Sequence, residues 1–244
     1  MTNMDFYSEF ENYATKHMGI TGMQFRYWEQ LQESLYNNVM VSGAQSSLTP
    51  YILEEREMRV TQMDIFSRLM MDRILWLAGP VNDRMSTVVQ AQLLFLDNLD
   101  NDSDITFYID SPGGSVKSGL SIVDNMNYIS SDIMTVNTGM AASMGSILLG
   151  AGTKGKRFSL PSSRVMLHQV STGASGNLQD IRVSIAEGEK YNTQLFKMLG
   201  SYTDKDPSVV LSDTNRDLWL SASEALEYGI IDGVITKKIK KGKK

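Results

Sequence analysis

A chain of 244 residues, 42% hydrophobic and 21% charged, has ordinary globular composition and enough length to bury a sizeable core in one large domain or two small ones. It holds no cysteine and only two histidines, His17 and His168, which excludes a disulfide scaffold, a thiolate nucleophile and a Cys-ligated metal, and leaves little room for a multi-histidine metal site. The net charge of −5 is uneven: residues 236–244, TKKIKKGKK, carry six lysines and no acid, so the preceding 235 residues carry 17 bases against 28 acids, or −11.

Taken in chain order, residues 1–46 show no sustained period and end in the loop-like stretch Ser42-Gly43-Ala44-Gln45-Ser46-Ser47, the pattern of a weakly helical extension. Nothing in them has the apolar run of a secretory signal, and no stretch of the chain approaches the roughly 20 apolar residues that span a bilayer. A reducing, cytoplasmic setting fits both the absent cysteines and the absent spans. Residues 47–61 offer few apolar positions, and Pro50 disfavours a helix, so an exposed arm is expected. From Asp64 onward short apolar runs alternate with amphipathic segments: ILWLAG at 74–79, a helical period at 87–99, ITFYID at 105–110, a helix over 116–129, IMTVNTG at 133–139. Strand, helix, strand, helix, strand is the signature of an α/β sheet with right-handed crossovers. Strands at Arg157–Leu160 and Arg164–His168 follow.

A helix of some 25 residues is expected from Asn177 to about Ser201, with apolar positions at Leu178, Ile181, Ile185, Leu195, Met198 and Leu199. At about 1.5 Å per residue it is too long to lie wholly on a small sheet, so part of it should project and pack on another chain, with Ile181 and Ile185 or Leu195 and Leu199 at the contact. Asp206-Pro207 opens a short helix, Ser221-x-x-Glu224 is a capping box opening another that Gly229 closes, and a strand is expected near Ile231–Ile235.

Chemistry points to three segments. Ser143 in Gly139-Met140-Ala141-Ala142-Ser143-Met144-Gly145 follows a strand and opens a helix, where free N–H groups can stabilise an oxyanion; small residues there equally serve close packing. Gly113-Gly114, after the strand ending at Asp110-Ser111, allows close backbone approach to a ligand and has neither phosphate-loop nor dinucleotide spacing. His168 ends an apolar strand, the place of a core residue or of a base, and Asp217 is available to orient it.

In this order the motifs resemble the proteolytic subunits of the caseinolytic (Clp) protease family, ClpP. The resemblance runs from about Leu48 to Ile235 and rests on Ser111-Pro112-Gly113-Gly114, the segment around Ser143, residues 152–158, Ser163-Arg164-Val165-Met166-Leu167-His168-Gln169, and Asp213-Thr214-Asn215-Arg216-Asp217 before Leu220-Ser221-Ala222. Intervals of 25 residues from Ser143 to His168 and 49 from His168 to Asp217 look like the family's.

The resemblance implies an α/β, crotonase-like ClpP fold of strand-strand-helix units. A head domain would span 62–176 and 202–235, a protruding handle helix 177–201, an axial arm 47–61, an extension or propeptide 1–46, and a basic tail 236–244. It implies Ser143 as nucleophile, His168 as general base, Asp217 as orienting carboxylate, and the N–H groups of Gly114 and Met144 as the oxyanion hole. Tyr108 and Tyr128 would sit at clefts that receive the partner, and Arg216 at a ring–ring contact. The implied assembly is two stacked heptameric rings fed with unfolded polypeptide by a hexameric AAA+ unfoldase such as ClpX, with a second ClpP-type chain possible in the rings. No cofactor, metal, nucleic acid or membrane is implied.

Two departures stand out: Val170-Ser171-Thr172-Gly173-Ala174 replaces the family's usual proline and glycine-rich strand after His-Gln, and Asn215 replaces an acid before Arg216. The extension suggests self-cleavage between about Asn38 and Ser47, or a cap in which Tyr27, Trp28 and Tyr36 meet a partner. Two other functions compete: a catalytically silent subunit of a mixed ring, against which the complete Ser-His-Asp set speaks, and an acyl-CoA enzyme on the same fold, which has no use for that set.

Overall fold

In a computed structural model of the chain the described residues are 51–56 and 59–236, with side chains from Asp64 onward. The expectations for the extension, its cleavage, His17 and the lysine run lie outside the described residues.

Parallel pairing organises the rest. β3 (Ile74–Ala78), β4 (Ile105–Ser111), β5 (Ile133–Ala142), β6 (Arg157–Ser159) and β9 (Gly233–Val234) lie side by side in that order, each parallel to the next. The chain returns between the first of these through α2 (Asp83–Leu99) and α3 (Val116–Tyr128), the crossovers that the sequence spacing predicts. Period-two burial sets the strands: Ile105, Phe107 and Ile109 are fully buried while Thr106, Tyr108 and Asp110 between them are not. α2 starts four residues before its apolar period because Asn82 caps it, accepting from the Met85 N–H.

β5 is three residues longer than its alternation indicates. Its first half pairs with β6, and its second half, Met140–Ala142, pairs with β7 (Arg164–Leu167), so one long strand serves two short ones in succession. A register shift against β4 near Asp110 accommodates the change, and the Asp110 carboxylate accepts the Met140 N–H at 3.0 Å. β7 pairs on its other side, antiparallel, with β8 (Leu218–Ser221), a strand that the sequence does not announce. The arm also differs from expectation: Tyr51–Arg56 (β1) and Arg59–Asp64 (β2) form an antiparallel hairpin ahead of α1 (Ile65–Met71).

α4 (Met144–Gly150) is wholly buried behind β5. The long helix α5 (Leu178–Thr203) opens on the Asn177 cap, and its two halves have different surroundings. Leu195 and Leu199 are buried, the helix there packing on α4 and on α6 (Pro207–Asp213), whereas Leu178 and Ile185 are 62% and 45% exposed. The expected placement of Leu195 and Leu199 at a contact between chains is therefore corrected: they close the core of their own chain. α7 (Ala222–Tyr228) carries the capping box between Ser221 and Glu224 and ends on Gly229 at φ 91°.

One buried ion pair ties the sheet's far edge to the helices. Arg157, 4% exposed, donates to both carboxylate oxygens of Asp232 and to the carbonyls of Tyr202 and Gly229. Burial pushes the Asp232 carboxyl up, but hydrogen bonds from the Arg157 side chain and N–H, the guanidinium charge and the Gly155 N–H outweigh it and hold the group below the ordinary carboxylate range. A carboxyl lowered in the folded state contributes stability that is complete above its unfolded value, about 4, and is lost as the pH falls through the folded one. Asp232→Asn should thus cost about 3 kcal/mol at pH 7 by leaving a buried guanidinium uncompensated, and the gap from wild type should narrow below about pH 4. Urea unfolding of the two proteins at several pH values measures both.

Candidate active site

Strand register brings the three predicted side chains together. Ala142 faces Met166 across the parallel β5–β7 pair, so Ser143, one residue beyond, stands beside the end of β7, from which His168 follows. Leu167 faces Leu218 across the antiparallel β7–β8 pair, so Asp217 stands opposite His168. Ser143 Oγ lies 2.8 Å from His168 Nε2, and His168 Nδ1 lies 3.4 Å from Asp217 Oδ1. With Nε2 accepting from the serine, Nδ1 is the nitrogen that carries the ring proton, and it is the one nearer Asp217.

Ser143 has φ 54° and ψ −123°, one of three positive-φ residues other than glycine among those described. Such a backbone persists only where its surroundings hold it. Its N–H donates to the Met166 carbonyl at 2.9 Å, and its carbonyl accepts from the N–H and hydroxyl of Ser146 at 3.0 and 2.7 Å. The strand-to-helix turn therefore presents the hydroxyl with its backbone clamped on both sides.

The Gly113-Gly114 turn approaches from the neighbouring strand end. Gly113, at φ 92°, lies so near that a β-carbon on it would sit 2.6 Å from Ser143 Cβ and 2.9 Å from the Met144 nitrogen. Ser111 Oγ accepts the Gly113 N–H and donates to the Gly79 carbonyl, and Val81 bonds the turn through Gly113 O and Ser115 N. Among the described residues the N–H groups of Gly114 and Met144 have no acceptor within the chain, and both residues border the cleft that holds Ser143. The sequence marks Gly113-Gly114 as a place of close backbone approach but assigns no part in it to the Ser111 hydroxyl.

That cleft, about 170 Å³, is lined by Ser143, His168 and Gly114 and by an apolar wall that includes Ile147, Val170, Leu195, Phe196 and Leu199. The wall comes from α4, α5 and the segment after His168, elements that sequence proximity does not connect. Among the described residues no three His, Asp or Glu side chains come together as a metal site, and no helix is long and apolar enough to cross a membrane.

The remaining predicted residues lie away from the cleft. Tyr108 stacks on Trp76, opposite it in the β3–β4 pair, with ring centroids 4.9 Å apart and planes at 20°. Trp76 was not predicted as a site residue, though the alternation of ILWLA turns it outward between Leu75 and Leu77. Tyr128, at the end of α3, is 80% exposed and is no core aromatic. Arg216 is exposed beside Asp217, with no acidic partner among the described residues.

The Clp protease family model matches residues 55–238, 184 of the 244. An ATP-dependent Clp protease proteolytic subunit of Bacteroides thetaiotaomicron is 48% identical over 230 residues, 94% of this chain and 99% of its own. Its counterpart in Porphyromonas gingivalis is 45% identical over 233 residues, 96% of this chain and all of its own, and one from Bacteroides fragilis is 52% identical over 191 residues, 78% and 92% of the two chains. A match over 94% leaves about 14 residues of this chain outside it, so most of residues 1–46 also have counterparts in such relatives. On the family match and on these near full-length similarities, the chain belongs to the Clp protease family of serine proteases.

Proposed function

We propose that the chain is the proteolytic subunit of an ATP-dependent, self-compartmentalised protease, with Ser143, His168 and Asp217 hydrolysing the peptide bonds of unfolded polypeptides. The observation that carries this reading is the 2.8 Å contact of Ser143 Oγ with His168 Nε2 in a cleft bordered by two N–H groups without acceptors. Ser143 Oγ attacks the scissile carbonyl as its proton passes to His168 Nε2, and the oxyanion takes the N–H groups of Gly114 and Met144. His168 then protonates the departing amine, the C–N bond breaks, and a water deprotonated by the same imidazole hydrolyses the acyl-enzyme. Asp217 keeps the Nδ1 proton oriented and stabilises the imidazolium.

The apolar wall supports a preference for an apolar side chain on the acyl side of the bond. A fluorophosphonate should label the wild type at Ser143, and a peptide amide with leucine at the cleaved bond should turn over at least about tenfold faster than one with aspartate. An unlabelled wild type would favour the silent-subunit reading.

Energy from ATP belongs to a partner in this reading, a hexameric AAA+ unfoldase such as ClpX, as the relatives' names and the absence of a nucleotide motif suggest. The exposed Tyr128 and the stacked Trp76–Tyr108 pair are the proposed contacts, since exposed aromatic groups make strong anchors. Two stacked heptameric rings in the cytoplasm, homomeric or shared with a second ClpP-type chain, complete the proposal. Arg216 and the first half of α5 would meet the opposite ring. Leu178 and Ile185, one heptad apart and exposed, need cover there. Replacing both by aspartate should yield single rings or smaller species in sedimentation velocity; an unaltered double ring would remove α5 from the contact.

A further inference from the structure

One face of α5 carries Leu178, Ile181 and Ile185, then Leu195 and Leu199, at alternating spacings of three and four. The two positions that interrupt this apolar stripe are Gly188 and Asn192. Both are met by the segment that leaves β7 after His168. Thr172 lies over Gly188, where a β-carbon would stand 3.4 Å from Thr172 Cγ2, and Gly188 is the one residue of 182–190 that is not exposed. One turn further on, Asn192 Oδ1 accepts the Val170 N–H at 3.0 Å.

The segment needs such an anchor. β7 ends at Leu167, and residues 168–177 have no ladder pairing to hold their backbone groups. Before His168 the chain is held by the Met166 carbonyl, which accepts from Ser143, and by the Leu167–Leu218 pairing; after it, the Val170–Asn192 bond is the next tie. Val170 also borders the cleft together with Leu195 and Phe196, three and four positions beyond Asn192 on the helix.

We infer that Asn192 is a positioning residue for peptide hydrolysis: by holding the Val170 N–H against α5 it fixes the segment that carries His168 and forms one wall of the cleft. The inference rests on the Ser143–His168–Asp217 reading.

The test uses the full-length assembled protein, a fluorogenic peptide amide with leucine at the cleaved bond, and a fluorophosphonate. Asn192→Leu should lower kcat about tenfold with KM changed less than about twofold, the scale expected for a misplaced base, while the assembly and melting temperature hold. In a Val170→Pro background the same change should cost less than about twofold, because the bond is already gone. Asn192→Asp, which keeps an acceptor oxygen, should retain most of the wild-type kcat. Unchanged kcat in Asn192→Leu, an equal loss in both backgrounds, or an Asp variant as impaired as the Leu variant would overturn the inference. Should Asn192→Leu fail to assemble, Val170→Pro alone, which leaves α5 untouched, decides: a loss of about tenfold upholds the bond's role and an unchanged kcat overturns it. A wild type that the fluorophosphonate does not label overturns the triad reading and this inference together, whereas a labelled wild type beside an unaffected Asn192→Leu overturns this inference alone.

Discussion

Ser143→Ala should lower kcat for short peptides by roughly 10⁴-fold or more while the protein folds and assembles as the wild type does. The size follows from the mechanism, because without the hydroxyl no acyl-enzyme forms and only binding and the oxyanion donors still act. The neutrality toward folding follows from the geometry. Ser143 is held by backbone bonds, from its N–H to Met166 and from Ser146 to its carbonyl, and none of them uses Oγ. The side-chain bond lost is the one to His168, a half-buried ring that water can reach. His168→Ala should fall nearly as far, and the double variant little further, since members of a triad act as a unit. Activity within tenfold of wild type in either variant would refute the assignment.

Gly113→Ala should be nearly as damaging, although Gly113 bears no reactive group. At φ 92° any β-carbon is strained, and this one would meet Ser143 Cβ at 2.6 Å, the Ala142 carbonyl oxygen at 2.7 Å and the Met144 nitrogen at 2.9 Å. None of these atoms is the far end of a flexible side chain, so relief requires moving the nucleophile or the N–H beside it. A shift of about 1 Å in a reacting group costs on the order of 10²-fold, and losing an oxyanion donor costs 10² to 10³. A loss in kcat of roughly 10³ or more is expected. Gly155→Ala is the control: φ is 89° there, yet nothing lies within 4 Å of the added carbon. It should lose about 1 kcal/mol of stability and keep its peptidase rate. Peptide turnover and thermal unfolding of both variants measure the contrast, and similar rates for the two would mean that backbone strain alone, not contact with Ser143, governs the effect.

Periodicity made much of the fold legible. Alternation in ITFYID and the apolar period of 116–129 set a buried strand and its crossover helix, and Ser221 with Glu224 marked a helix start through bonds made within four residues. Composition and motif order carried the candidate chemistry too, because two histidines, of which only His168 ends a patterned apolar run, leave few choices of base. What local pattern cannot express is which edge of a strand is shared, and with whom. β5 runs three residues past its alternation because β7 supplies a second partner for its end, and Asp217 reaches His168 because β8, four residues long, finds β7.

The same limit hid the residues around the reacting atoms. Gly113 matters through its distance from Ser143, 30 positions away, and the cleft wall through side chains of α4 and α5 that meet only after the sheet has formed. Along α5 the apolar period runs from Leu178 to Leu199, broken at Gly188 and Asn192, yet Leu195 and Leu199 are buried while Leu178 and Ile185 are not. Helix spacing determines which residues share a face. Whether that face lies on the chain's own core or beyond its edge depends on the length of the helix relative to what lies beneath it, and that only the tertiary structure decides.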